Sequence, residues 1–87
     1  MAFRIETEAR AQLTVFILRG RLEGQAIAEL RRLFERYPDY CAIVLDLKDV
    51  RLVDRETVRF LARSEGDGVR LENCPAYIRE WMEREKD

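Results

Sequence analysis

The 87-residue chain contains no histidine, only two cysteines and only two prolines. Without imidazole it has no side chain whose ordinary pKa lies close to neutrality, and it lacks the usual nitrogen ligand of a zinc site. Cys41 and Cys74 are too few for a disulfide framework, so reduced thiols and no metal or other cofactor are expected. No apolar stretch approaches the roughly 20 residues needed to cross a bilayer, and the opening MAFRIETEAR lacks the apolar core of a signal peptide. The expectation is a cytoplasmic protein that does not enter a membrane. An excess of one charge is missing too: 17 acidic residues against 16 basic ones leave a net charge of -1. No overall field draws such a chain to nucleic acid or to an anionic surface, and charge must act locally.

What is present is enough apolar sequence for one small core. Hydrophobic residues make up 47% of the chain, which argues for a globular domain rather than a disordered one, and residues 1–87 are expected to form a single domain. Phe3 to Glu8 alternates apolar and polar positions as FRIETE, the pattern of an edge strand. Leu13 to Leu18 is apolar on both faces and suits a more central strand; the short link between them predicts a hairpin. After the loop GRLEG, Ile27, Leu30, Leu33, Phe34 and Tyr37 recur at helical spacing until Pro38. Ala42 to Leu47 is the most continuous apolar run and predicts a strand covered on both sides.

The next segment, VDRET, concentrates charge where that strand gives way to a helix carrying Val58, Leu61 and Ala62. A polar SEGDG, a strand over Val69 to Asn73 and a third helix follow. Asn73 or Cys74 is expected to cap that helix, with Pro75 at its first position and Tyr77, Ile78, Trp81 and Met82 on its apolar side. The EREKD tail is expected to fray. The fold class is therefore α/β: an N-terminal β-hairpin followed by alternating helices and strands, with a mixed four-stranded sheet. Right-handed crossovers added in one direction place the helices mainly on one face. The other face then lacks a helical cover, with Phe16 or its neighbours partly exposed, and a homodimer through it is left open.

Local physics explains part of the charge in VDRET. Asp54 suits an N-cap, Glu56 complements the positive end of the helix dipole, and Val53 can pack against Val58. Arg55 and Arg59 gain nothing from that dipole, yet sit four residues apart on one face. In open α/β sheets, binding sites gather beyond the C-terminal ends of the strands. That edge collects Arg21, Glu23, Asp49, Arg51, Asp54, Arg55, Glu56 and Cys74, a mixture of signs suited to protein recognition.

The run IVLDLKDVRLVDRETVRFL resembles the core of STAS domains, found in anti-anti-sigma factors and in the cytoplasmic parts of sulfate transporters. In that family a strand ends in an Asp, and a second Asp opens the next helix beside a phosphorylatable Ser. Asp46 and Asp54 match the two acidic positions, and the flanking order of elements agrees up to the third helix. The phosphorylated position is Arg55 here, followed by Glu56 and Thr57; Thr57 carries a hydroxyl but lies further into the helix. The resemblance implies a non-catalytic interaction module that docks on a protein partner such as a kinase-like anti-sigma factor, with a fixed positive charge at the switch position. The contact residues are then Asp54, Arg55, Glu56 and Arg59, with Asp46 and Thr57 secondary.

Two other readings compete. Cys74, beside Pro75 at a helix start, suits a small-ligand or thiol-based enzyme site at the same edge, although no histidine can serve as its base and Cys41 lies at the opposite end of the neighbouring strand. Asp46 and Asp54 could approach one another as paired carboxylates, for which a strand-to-helix tie is the structural explanation. A basic stripe of Arg31, Arg32 and Arg36 is interrupted by Glu29 and Glu35 and has no interleaved aromatics, so nucleic-acid binding is not expected.

Overall fold

The computed structural model describes residues 3–85, which form four strands, three α-helices and one 3-10 turn. Strands β1 (Phe3–Arg10) and β2 (Leu13–Leu22) make the antiparallel hairpin, turning through Ala11 at φ 56°. Helix α1 (Gly24–Phe34) follows, then the turn Tyr40–Ala42, strand β3 (Ile43–Val53), helix α2 (Arg55–Gly66), strand β4 (Arg70–Glu72) and helix α3 (Ala76–Arg84). The sheet order is β1-β2-β3-β4, with β2, β3 and β4 parallel. This is the α/β architecture that the apolar patterning predicts.

All three helices feed one core. Phe16 and Leu18 of β2 and Leu45 and Leu47 of β3 share a single cluster with Leu30 of α1, Leu61 of α2 and Ile78 and Met82 of α3, all fully buried. The helices therefore cover the same face of the sheet. Phe16, expected on the bare face, instead points into this core: its ring lies 6.1 Å from Phe34 and 5.6 Å from Tyr37, the latter edge-on. The apolar run VFIL does not reveal which of its residues face the helices, because both faces of a central strand are apolar.

The bare face exists, but its chemistry is charge. The strand register sets Glu8, Val15, Val44 and Arg70 in one row, and Glu6, Ile17, Asp46 and Glu72 in the next. Val15 and Val44 are fully buried although no helix covers them. Arg10 of β1 pairs with Glu72 of β4 at 3.2 Å, bridging the two edge strands. Flanking side chains with long aliphatic stems can shield a central valine in this way while keeping their heads in water.

β2 and β3 run well past the predicted Leu18 and Leu47 because register shifts let them stay paired. One lies between the Ile17 and Arg19 pairings and another between those of Gly20 and Arg21. Gly20 adopts φ 89°, a left-handed conformation that glycine tolerates, so the GRLEG loop is largely strand. The bulged register breaks the two-residue alternation on which a strand is recognised. Phe16→Ala is expected to cost about 3–5 kcal/mol, whereas exposed Glu8→Ala on the bare face should stay within about 0.5 kcal/mol; urea denaturation of both variants measures the difference.

Candidate functional site

The charged joint between β3 and α2 is built from two interlocking bonds. Asp54 caps α2 from an extended backbone, and its Oδ1 accepts the Thr57 N–H at 2.8 Å. The Thr57 hydroxyl then donates to the Leu22 carbonyl at the end of β2, also at 2.8 Å. Leu22 is the register partner of Val53, the last residue of β3. Thr57 is fully buried, so its hydroxyl is committed to the fold and does not reach solvent. That removes it from the surface where a switchable residue must stand.

Arg55 and Arg59 project from the first turns of α2 with side chains 66% and 57% exposed. They are not loose. Their Nε atoms both approach Glu85, at 3.4 and 3.1 Å from its Oε1, and the Trp81 indole N–H donates to Oε2 at 3.4 Å. Glu85 is the C-cap residue of α3. The expected fraying of EREKD is thus corrected at Glu85, which two guanidinium groups and an indole hold; Lys86 and Asp87 lie outside the described residues. Hydrogen bonding to Arg59, followed by the nearby Arg55, holds the Glu85 carboxyl below its ordinary pKa.

A second ion pair fixes the far end of the same helix pair. Arg79 of α3 binds Glu65 of α2 with two bonds of 2.8 and 3.0 Å. The pairing of residues 55 and 59 with 85, and of 65 with 79, makes α2 and α3 antiparallel. Glu56 lies beside α1: its Oε1 is 3.7 Å from where a Cβ on Gly24 would stand. Asp54, Arg55, Glu56 and Arg59 therefore come together at one helix start, as their spacing predicts.

Asp46 does not join them. It sits in the bare-face row of β3, where its Oδ1 accepts the Lys48 N–H at 3.0 Å and the Asn73 amide at 3.1 Å. The strand between Asp46 and Asp54 spans about 26 Å at about 3.3 Å per residue, so the paired-carboxylate arrangement does not form. Asn73, bent back at φ 56° to reach Asp46, is not the cap of α3; Pro75 takes that position and offers no side-chain bond.

Cys74 is half-buried, and its thiol donates to the Pro75 carbonyl at 3.7 Å. Burial pushes its pKa up, Arg79 opposes this and Glu65 reinforces it. Cys41 lies before β3, beside Gly68, while Cys74 lies beyond the far end of β4, so the two thiols are at opposite ends of the parallel strands.

Two residues of this edge escape a reading by pattern. Leu52 is 42% exposed and Tyr77 46%, the exposed large hydrophobics of the described chain. They are neighbours in space through the Tyr77 hydroxyl, which donates to the Arg51 carbonyl at 3.1 Å. Leu52 lies beyond the apolar run that ends at Leu47 and gave no signal of its own, and Tyr77 by spacing belonged to the buried side of α3. Among the described residues, no helix is long and apolar enough to cross a membrane.

No family model matches the chain, and no curated protein matches it.

Thr57→Val should lose about 1–3 kcal/mol of stability by stranding the Leu22 carbonyl, while Thr57→Ser should retain most of it; chemical denaturation distinguishes them. Glu85 has a second expected consequence. Its folded-state pKa is depressed, so its contribution is complete above the ordinary carboxylate value and is lost as pH falls through the depressed one. Glu85→Gln should therefore flatten the acid limb of the stability-pH curve relative to wild type, as followed by thermal melts.

Proposed function

We propose that the chain is a non-catalytic, STAS-like interaction module that docks on a protein partner through the start of α2, with Arg55 standing as a fixed positive charge where the family places its phosphorylatable serine. The observation that carries this reading is the surface itself: Arg55 and Arg59, held in place by Glu85, flank an edge that also exposes Leu52 and Tyr77. Arginine and tyrosine are among the residues enriched at the centres of protein interfaces, and the exposed Leu52 adds apolar area beside them. The sequence order around Asp46 and Asp54 and the strand-helix succession support the family reading. A kinase-like anti-sigma factor is the partner which that reading favours, and the cytoplasm is the matching compartment.

Regulation in this version does not run through the helix start. Arg55 cannot be phosphorylated there, and the Thr57 hydroxyl is buried and bonded to Leu22. Binding is constitutive or is controlled through the partner. The thiol-based alternative at Cys74 is disfavoured by its raised pKa, because the protonated thiol is a poor nucleophile. The bare sheet face suits an apolar homodimer poorly, since its edge-strand positions Glu6, Glu8, Arg70 and Glu72 are all charged.

Quantitative affinity capture from lysate, followed by mass spectrometry, tests the reading. Wild type is expected to retain one defined protein that Arg55→Glu and Leu52→Ser each recover at about tenfold lower yield or less, with circular dichroism confirming that both variants fold. Equal recovery by all three proteins would remove the α2 start from the contact. The thiol alternative has its own readout: iodoacetamide should modify exposed Cys41 well before Cys74.

A further inference from the structure

A different part of the molecule, on the β1-β2-β3 side of the same edge, carries an unassigned concentration of positive charge. An open groove of about 600 Å³ is lined by Arg4, Arg19, Lys48 and Arg51 from three successive strands, with Phe3 and Val50 as its apolar surfaces. Two carboxylates meet these cations. Asp49 pairs with Arg19 at 2.8 Å, and Glu6 lies 3.4 Å from Arg4 and 3.5 Å from Arg19. Lys48 and Arg51 make no ion pair among the described residues, which leaves the groove with two cations beyond its anions in a protein of net charge -1.

The backbone explains how the cluster arises. The groove lies where β2 and β3 change register, and Gly20, in the left-handed conformation, forms part of its wall. Register shifts re-aim side chains, so Lys48 and Asp49, adjacent in sequence, both line the groove. The position is also the C-terminal end of two parallel strands, where open α/β sheets bind ligands. Its size is that of a small-molecule site rather than of an extended interface.

We infer that this groove binds a small molecule bearing a phosphate group, with Lys48 and Arg51 as the free charges that hold the phosphate and the partly buried Phe3 in contact with the rest of the ligand. Guanidinium groups match the geometry of phosphate oxygens, and Lys48 adds a mobile point charge. Arg51 adjoins Leu52 of the proposed protein contact, but pyrophosphate binding and partner capture are read by separate experiments and can fail independently.

Isothermal titration of inorganic pyrophosphate, and of citrate as a carboxylate of comparable charge, into the full chain at low ionic strength tests the assignment. Saturable one-to-one binding of pyrophosphate is expected, tighter than citrate, and weakened about tenfold or more in the Lys48→Ala/Arg51→Ala double variant. Neither side chain has an ion-pair partner to lose, and circular dichroism of the variant verifies its fold. Absence of saturable pyrophosphate binding, affinity unchanged in the double variant, or citrate binding as tightly as pyrophosphate would each overturn it.

Discussion

The buried hydroxyl of Thr57, donated to the carbonyl of Leu22, is the bond on which the geometry of the α2 start depends. Leu22 ends β2, Val53 opposite it ends β3, and Asp54 turns the chain into the helix. One residue thereby satisfies a strand carbonyl with its hydroxyl and an N-cap carboxylate with its amide. A buried carbonyl left without this donor would carry the desolvation cost of an unpaired polar group, so the helix has little freedom to rotate or slide relative to the sheet. Where Arg55, Glu56 and Arg59 stand on the surface follows from that constraint.

Electrostatics then stiffens what packing has placed. Glu85 gathers Arg55 and Arg59 at one end of the α2-α3 pair, and Glu65 binds Arg79 at the other. Such pairs contribute little individually when exposed, about 0–1 kcal/mol each. Their effect here is positional, because they hold long arginine side chains in defined directions and reduce the ordering cost of an encounter. The result is a surface whose arginine charges are permanent: guanidinium does not titrate near neutrality, and the Thr57 hydroxyl is inside the core. This is the physical content of the proposed module, which would bind without a switch at its helix start. The groove at the β2-β3 register shifts is built differently, from backbone irregularity rather than from helix packing.

Most of the architecture was legible from apolar periodicity, since the helices have clear 3.6-residue faces at Ile27, Leu30 and Phe34 and at Ile78 and Met82. The Asp54 cap was legible for the same reason, being set by local chemistry only three residues long. Strand ends were not, because the register shifts after Ile17 and Gly20 disguise continued pairing as a polar loop. The direction of Phe16 was hidden within an apolar run. The role of Glu85 could not be read locally at all: its partners lie 26 and 30 residues away, and only the antiparallel docking of α2 and α3 brings them together. Asp46 was expected to end its strand, yet β3 continues to Val53 and leaves Asp46 in mid-strand on the bare face.

The rigidity of the α2 start is tested most directly by native-state hydrogen exchange at the Thr57 amide, the group bonded to Asp54. It should exchange only through global unfolding, with an opening free energy equal to that from chemical denaturation and matching that of the Leu45 amide in the central strand. Exchange through a much cheaper local opening, at the rate of frayed helix ends, would show that the helix start is mobile and would contradict a preformed surface of fixed charge.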